Sequence, residues 1–463
     1  MLAGAAIGGG LAIGWALWPR AYPPNLVAAE GERIFNAWLK IGTDGHVTVV
    51  VPQVEMGQGS YTVIPQIIAD ELGADWRTIA VEPAPLSPAY ANTVFADEWH
   101  EGWWPKEKVQ ATGGSSTVRG YEFVARQAGA AARALLCKAA AKRWDADWLA
   151  CDTEGGFVTR GDDRLRFGEL VEDAARMSLP KDIPLRTGNG VDRLSGRGMN
   201  RLDIPAKLDG SANFAADIRL PDMVYASIRQ GPLGDSILKS VDKAAADRIF
   251  GVLEIVEHER WVAAIATNWW AANRALDAMH PRFFNRDRFS GDRSIDRALV
   301  NALGVEGTRV AEAGDVDAAL ENARVSTAEY SVGLAPHAAI EPLSATATLV
   351  DGRLQLWIAT QLPGLARDAA ARAIGIDPED VTIHPMLVGG SFGRKYEVEI
   401  AGQVAILALK IKRPVQLTWS RAEDLMHEPF RPAARARMTA RLGRAGHIDA
   451  WLAQIAAPNG LGE

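Results

Sequence analysis

The residues able to do chemistry lie in short glycine-bearing stretches. Met56-Gly57-Gln58-Gly59-Ser60-Tyr61-Thr62 follows the β-branched run Val47 to Val51 and precedes Ile64, Ile67, Ile68 and Leu72 at helical spacing. Strand, glycine turn and helix in that order suit an anion, because backbone N–H groups of such a turn approach a phosphate closely and a helix start favours negative charge. A dinucleotide fingerprint, however, would want glycine where Thr62 stands, and no acidic residue closes a second strand at the expected place. A further cluster, Gln110-Ala111-Thr112-Gly113-Gly114-Ser115-Ser116-Thr117, leads into a helix expected from about Val118 to Trp144. Its hydroxyls serve either a phosphate or an ordinary helix cap. Late in the chain, Val388-Gly389-Gly390-Ser391-Phe392-Gly393-Arg394-Lys395 separates a predicted strand, Val381 to Pro385, from a predicted helix through Ile400 to Leu409. Its glycine pair fits a tight turn or a close backbone approach.

Composition narrows the chemistry. The 8 histidines are scattered, and neither His-Glu-x-x-His nor Cys-x-x-Cys occurs, so direct metal ligation by side chains is not expected. The 2 cysteines, Cys137 and Cys151, form at most one disulfide and are too few for an iron–sulfur cluster. Electrons leaving this protein would need another chain to carry them. Lys and Arg total 50 against 57 Asp and Glu, a net charge of −7, the wrong sign for nucleic acid binding.

Around these stretches, 463 residues with 48% hydrophobic and 23% charged composition read as globular, about three domains. Met1 to Trp18 is a charge-free run closed by Pro19-Arg20, read as an export signal core or short anchor, with a buried Gly/Ala helix as the alternative. From Arg160 to Asn200 the chain reads as a charged loop with Gly188, Gly190, Gly196 and Gly198. Short buried strands are expected at Val224 to Ile228 and Ala263 to Ala266, a loop at Arg282 to Asp296, strands with a helical insertion over Val305 to Ala359, and a helix at Leu365 to Ile374. Trp99, Trp103 and Trp104 suit an aromatic entrance or a partner contact.

Several motifs taken in order carry a resemblance. Glu55-Met-Gly-Gln-Gly59, the stretch Asp209 to Ala226, His337 with Glu341-Pro342, Thr360-Gln361 and Gly389-Gly-Ser-Phe-Gly-Arg-Lys395 together resemble the molybdenum hydroxylase family. Within it the chain is similar to the large subunit of the isoquinoline 1-oxidoreductase branch and its periplasmic aldehyde-oxidising relatives, from about Val47 to Pro432. In the xanthine oxidase type the first motif lies late; here it precedes Asp209 to Ala226, the arrangement of the permuted branch. The resemblance implies a mixed α/β, α+β fold: a permuted molybdopterin-binding segment over 25–200, an α/β hammerhead-like domain over 201–300, and the first part of a molybdenum-binding domain over 301–463, after the leader and linker 1–24.

The same resemblance assigns roles. Gly57, Gln58 and Gly59, with Thr62, would hold a molybdopterin cytosine dinucleotide, and Ser115 and Thr117 would line its phosphates. Gln361 would sit beside the molybdenum, Phe392 and Gly393 would form the pocket wall, Gly389 and Gly390 would border the cofactor, and Arg394 matches the isoquinoline branch. Arg431 stands where a substrate-orienting arginine is placed. No side chain would ligate the metal, because the cofactor dithiolene holds it. Two-iron two-sulfur clusters would sit on a small iron–sulfur partner chain. The family's general-base glutamate lies in a Gly-x-x-Gly-Glu context that is missing here; Gly460-Leu461-Gly462-Glu463 is read as coincidence. A second chain completing the C-terminal part, or a catalytically incomplete cofactor-binding module, follows from that departure. The expected activity is molybdenum-dependent hydroxylation of an aldehyde or N-heteroaromatic substrate in the periplasm, any anchoring falling to residues 1–18. A nucleotide-binding dehydrogenase is the alternative from another class.

Overall fold

A computed structural model describes residues 25–99, 109–187, 193–286 and 291–458. The Met1 to Trp18 run, Trp103, Trp104, Gly188, Gly190 and the Gly460 to Glu463 stretch lie outside them, as does the side chain of Trp99.

The first body is a four-stranded sheet in the order Glu32–Asn36, Leu39–Gly42, Val47–Val51 and Ile79–Pro83. The last two strands run parallel, so the connection between them must cross over, and the Ser60–Leu72 helix makes that crossing. Behind it lies the 29-residue helix Ser116–Trp144, whose alanine-rich middle lets the two helices approach closely: a Cβ at Gly129 would stand 2.6 Å from the Ile68 carbonyl oxygen. Trp38, 1% exposed, packs edge-on against Tyr90 with ring centres 5.7 Å apart.

Residues 160–187 are more regular than their loop-like composition suggests. They hold the strand Asp163–Arg166 and the helix Phe167–Ala174, which buries Phe167, Leu170, Val171 and Ala174. The described residues beyond that helix are tied to buried acids on the Ser60–Leu72 helix: Glu71 accepts the Arg186 backbone N–H at 3.0 Å, and Asp70 accepts Arg193 Nε at 2.9 Å.

The second body is a seven-stranded mixed sheet in the order Val252–Glu257, Trp261–Ala266, Val224–Gln230, Val415–Thr418, Ser344–Val350, Arg353–Ile358 and Val381–Pro385. Trp261–Ala266 is apolar throughout because both its faces are covered: Ala263 and Ile265 join the core under helices Pro363–Ile374 and Glu399–Ile411, and Val262, Ala264 and Ala266 meet helix Trp269–Met279. Strands from 224–266 and 344–418 therefore share one sheet, and the boundary expected at residue 300 does not divide it. The expected loop Arg282 to Asp296 contains the strand Arg282–Asn285 and the start of the helix Asp292–Ala302.

A third sheet pairs Val325–Val332, Ala434–Leu442 and Ile448–Ala456. Its register puts Tyr330, Ala436 and Ile455 in one row, Ala328, Met438 and Ala453 in the next, and Ala440 with Trp451 beyond. Helix Asp292–Ala302 covers the opposite face through Leu299, beside Ala433 and Ala456. The apolar face is open: Tyr330 is 62% and Ile455 67% exposed.

Candidate functional site

After Val51 the chain reaches the Ser60–Leu72 helix through a turn in which Gly57 and Gly59 take φ of +108° and +87°, values glycine adopts freely. The anion seat expected at this helix start exists, and Glu55 of the same chain fills it. Its fully buried carboxylate accepts the N–H of Gly57 at 2.8 Å, of Gly59 at 3.1 Å and of Tyr61 at 2.9 Å. Arg201 Nη2 stands 3.0 Å from the same carboxylate. The amides of Gly57 and Gly59 are thus turned inward, which corrects the expectation that they face a ligand. Their outer surfaces are open, since a Cβ on either would meet nothing within 4 Å. Gln58 is exposed and folds back, donating to the Val54 carbonyl at 2.7 Å. Thr62 is buried and accepts the Leu202 N–H at 3.2 Å, a structural tie rather than a ligand contact.

The second motif is stitched to the first. Gln53 donates to the Ala111 carbonyl at 2.7 Å and accepts from the Thr117 hydroxyl at 3.0 Å, and Val54 N–H donates to Thr112 Oγ1 at 2.9 Å. Ser115, at φ +50°, is exposed and makes no cap bond, so its hydroxyl stands free at the start of the long helix. Ser116 lies inside, held by Asn92 at 2.7 Å.

The late motifs close over both. Gln361, 2% exposed, donates to the Thr112 carbonyl at 2.7 Å and accepts from the Ser391 hydroxyl; Thr112 N–H returns a bond to the Gln361 carbonyl at 3.0 Å. Val388 N–H donates to the Glu55 carbonyl at 3.0 Å. Tyr396 sets its hydroxyl where a Cβ on Gly113 would stand. Segments separated by about 300 residues in sequence thus form one hydrogen-bonded cluster.

Within that cluster the 389–395 loop is tightly constrained. Gly389 lies against Glu341, whose carboxylate accepts its N–H at 2.9 Å and holds the buried Lys395 Nζ at 3.0 Å. Burial lowers the Lys395 pKa, with Glu341 opposing the shift. Gly390 and Gly393 have φ of +90° and +108°. Phe392, a non-glycine residue at +60°, is 72% exposed, so it projects from the loop instead of walling an enclosed pocket. Arg394, which the resemblance sets among the catalytic residues, lies inside. It is 1% exposed, over the Trp419 ring at 5.5 Å, between Asp424 at 3.4 Å, Glu397 at 3.5 Å and Glu428 at 3.8 Å. It positions the loop from behind. Burial pushes the Glu397 carboxyl up to about 7 despite the opposing Arg394 charge. Arg431 is exposed, and its backbone pairs with Ala335, two residues before His337.

Sequence reasoning assigned no role to Glu55, Lys395 or the His337–Glu428 contact, where the ring Nδ1 lies 2.8 Å from the carboxylate. An acid just ahead of a glycine turn and helix start is a readable signal for Glu55. Glu428 lies 91 residues from His337, and no local pattern links them.

For a phosphate-bearing cofactor Ser115 offers an exposed hydroxyl at a helix start, while the Gly57 and Gly59 amides are held by Glu55 and the Gln58 amide by Val54 and Ser60. The comparisons with known proteins point the same way. Residues 5–95 and 304–462, together more than half the chain, each match the family described as Molybdopterin cofactor-binding domain. The chain belongs to the molybdopterin cofactor-binding domain family. It is 29% identical to the beta chain of isoquinoline 1-oxidoreductase from Brevundimonas diminuta, over 91% of this chain and 60% of that protein. It is 27% identical to the membrane-bound aldehyde dehydrogenase [pyrroloquinoline-quinone] of Gluconacetobacter polyoxogenes, over 92% and 55%. It is also 27% identical to a nicotinate dehydrogenase subunit from Pseudomonas putida, over 94% and 37%. The chain thus spans roughly 37–60% of the length of these curated relatives.

Proposed function

We propose that this chain supplies the cofactor-binding portion of the large subunit of a molybdenum hydroxylase that oxidises an aldehyde or N-heteroaromatic carbon. The observation that carries the reading is the joint between the two matched stretches: Glu55 in the first and Val388 in the second share a backbone hydrogen bond, which seats the glycine turn under the 389–395 loop. The cofactor, molybdopterin cytosine dinucleotide in this reading, supplies two-electron oxidation and delivery of water-derived oxygen.

The chain's own residues bind and orient. Ser115 and Thr117 lie at a helix start suited to phosphate oxygens, and Gln58 lies exposed on the glycine turn, its amide held by Val54 and Ser60. Gln361, fixed by Thr112 and Ser391, holds the Gly389–Gly393 loop in place, and Lys395 locks that loop to Glu341. Phe392 and Arg431, both exposed near this loop, are placed to meet an aromatic or polar substrate.

Partners follow from chemistry and surface. With 2 cysteines the chain needs an iron–sulfur partner to take electrons onward. The open apolar face of the third sheet fits a further polypeptide. Residence in the periplasm rests on the hydrophobic run Met1 to Trp18. The test is molybdenum analysis of the chain purified from its native host with whatever copurifies. The expected result is about one molybdenum per chain, as befits a single bound cofactor, with cytidine nucleotide released by acid. An assembled sample lacking molybdenum, or carrying a quinone chromophore in its place, overturns the reading.

A further inference from the structure

The far half of the helix Ser116–Trp144 borders a cavity that the cofactor reading does not use. Arg133 and Cys137, one turn apart on that helix, share about 240 Å³ of space with Trp148, Cys151, Asp152 and the segment 183–187. At 1.5 Å per residue this lies roughly 25 Å along the helix from Ser115, away from the glycine turns. Trp148, Leu149, Ile183 and Leu185 give the cavity apolar walls, while Arg133 and Arg186 bring it two guanidiniums. Their charge is not fully balanced. Arg133 is buried and donates to the Glu71 carbonyl at 2.8 Å and to the Pro184 carbonyl. The buried Glu71 carboxylate is already shared, taking Arg126 Nε at 2.7 Å and the Arg186 backbone N–H at 3.0 Å. Arg186 Nη2 pairs with Asp152 at 2.8 Å, but the Asp152 side chain is 72% exposed, so water screens its charge. Arg126, Arg133 and Arg186 thus face two carboxylates, and the neighbouring Arg193–Asp70 pair adds no net charge. Burial lowers the Arg133 pKa, and the Arg186 charge lowers it further, against Glu71 and Asp152. Arg186 Nε is buried with no hydrogen-bond partner among the described residues, a costly state for a charged donor.

We propose that this cavity binds a small monocarboxylate with a flat apolar body, its carboxylate facing Arg133 and Arg186 and its body lying against Trp148 and Leu185. The spare positive charge is single, which suits a monoanion. A phosphate dianion would bring a second negative charge toward Asp152 and Glu71 and would gain nothing from the apolar walls. The Arg186 side chain is part-exposed, so a turn of it presents the unpartnered Nε to a carboxylate oxygen, a charge-assisted bond. Bound there, the ligand joins the 183–187 segment to the long helix. This site is independent of the hydroxylase reading and stands or falls without it.

Cys151 reports occupancy of the cavity. It lines the space part-exposed, whereas Cys137 is buried and burial pushes its thiol up to about 12, so a thiol reagent reaches Cys151 first. The experiment follows alkylation of Cys151 by iodoacetamide in the full chain at mildly alkaline pH, read by peptide mass spectrometry, with benzoate, benzamide or inorganic phosphate added. Benzoate is expected to slow the reaction about tenfold at ten times its half-protecting concentration, as mass action requires. Benzamide, which has the same body without the charge, and phosphate should leave the rate unchanged at that concentration. Arg186→Gln, shown to be folded by circular dichroism, should need about tenfold more benzoate, the loss of one charge-assisted bond. Leu149→Trp, at a mostly exposed position on the wall, fills the space and should abolish protection in a folded chain whether or not Arg186→Gln folds. No protection by benzoate, equal protection by benzamide, protection by phosphate alone, or undiminished protection by benzoate in either folded variant each overturns the proposal.

Discussion

Buried charge sets the behaviour of this chain residue by residue. Glu55 satisfies the N–H groups of Gly57, Gly59 and Tyr61 and faces Arg201, so its removal leaves buried donors unpaired. Glu55→Ala is expected to cost roughly 3–5 kcal/mol in chemical denaturation, in the range for a broken buried charge pair, and Glu55→Gln less. A cost near zero would mean that the turn holds itself. Glu397 works in the opposite direction. Burial raises its folded-state pKa from 4.5 to about 7, so the folded chain binds that proton more tightly than the unfolded chain does. Stability is therefore intact below about 4.5 and declines as pH rises through 7. Glu397→Gln should be more stable than the parent at pH 8, by at most about 3 kcal/mol, and no more stable at pH 4. Parallel curves of thermal midpoint against pH for the two proteins would refute this.

Among elements, the decisive contacts are between segments far apart in sequence. Gly113 opens the helix Ser116–Trp144 at the point where Tyr396, from the loop after Phe392, fills the space a side chain would take. Gly113→Ala should force the two apart and cost about 1–3 kcal/mol, as overpacking does. Tyr396→Phe in the same chain removes the obstructing hydroxyl, and a double-mutant cycle should return part of that loss. Additive effects would show that the two residues do not meet. Element type was largely readable here. The strand Val381–Pro385 lies where its β-branched pattern predicts it, and the helix Ser116–Trp144 starts two residues before its expected first residue. The helix Phe167–Ala174 was readable too, from Phe167, Leu170, Val171 and Ala174 on one face, but the surrounding charge and glycine disguised it as loop.

At the scale of the molecule, the third sheet presents an apolar face that no described element covers. Such a face binds dye, self-associates or docks another polypeptide. Tyr330→Lys with Ile455→Glu should abolish dye binding and capture of a docking polypeptide while shifting the thermal midpoint little, since both side chains are mostly exposed. A large fall in the midpoint would mean that the face is already packed within the chain. The seven-stranded sheet is the larger departure from expectation. Parallel pairing of Val415–Thr418 with Val224–Gln230 is non-local, and nothing in either strand's own pattern names its partner.

Local conformation and the identity of the motifs were written in the amino-acid order. Periodicity, β-branching and glycine act within a few residues, and the family resemblance followed from the residues of several motifs taken in order. Which donors and acceptors remain for a ligand was settled by packing. Gly57 and Gly59 look like phosphate donors until Glu55 is seen to take their amides, and Arg394 looks reachable until Asp424, Glu397 and Glu428 are seen around it. His337 gained its partner from 91 residues away. A hydrogen-bonding group is committed by whatever the fold brings within about 3 Å of it, and that proximity is a property of packing which no stretch of sequence carries alone.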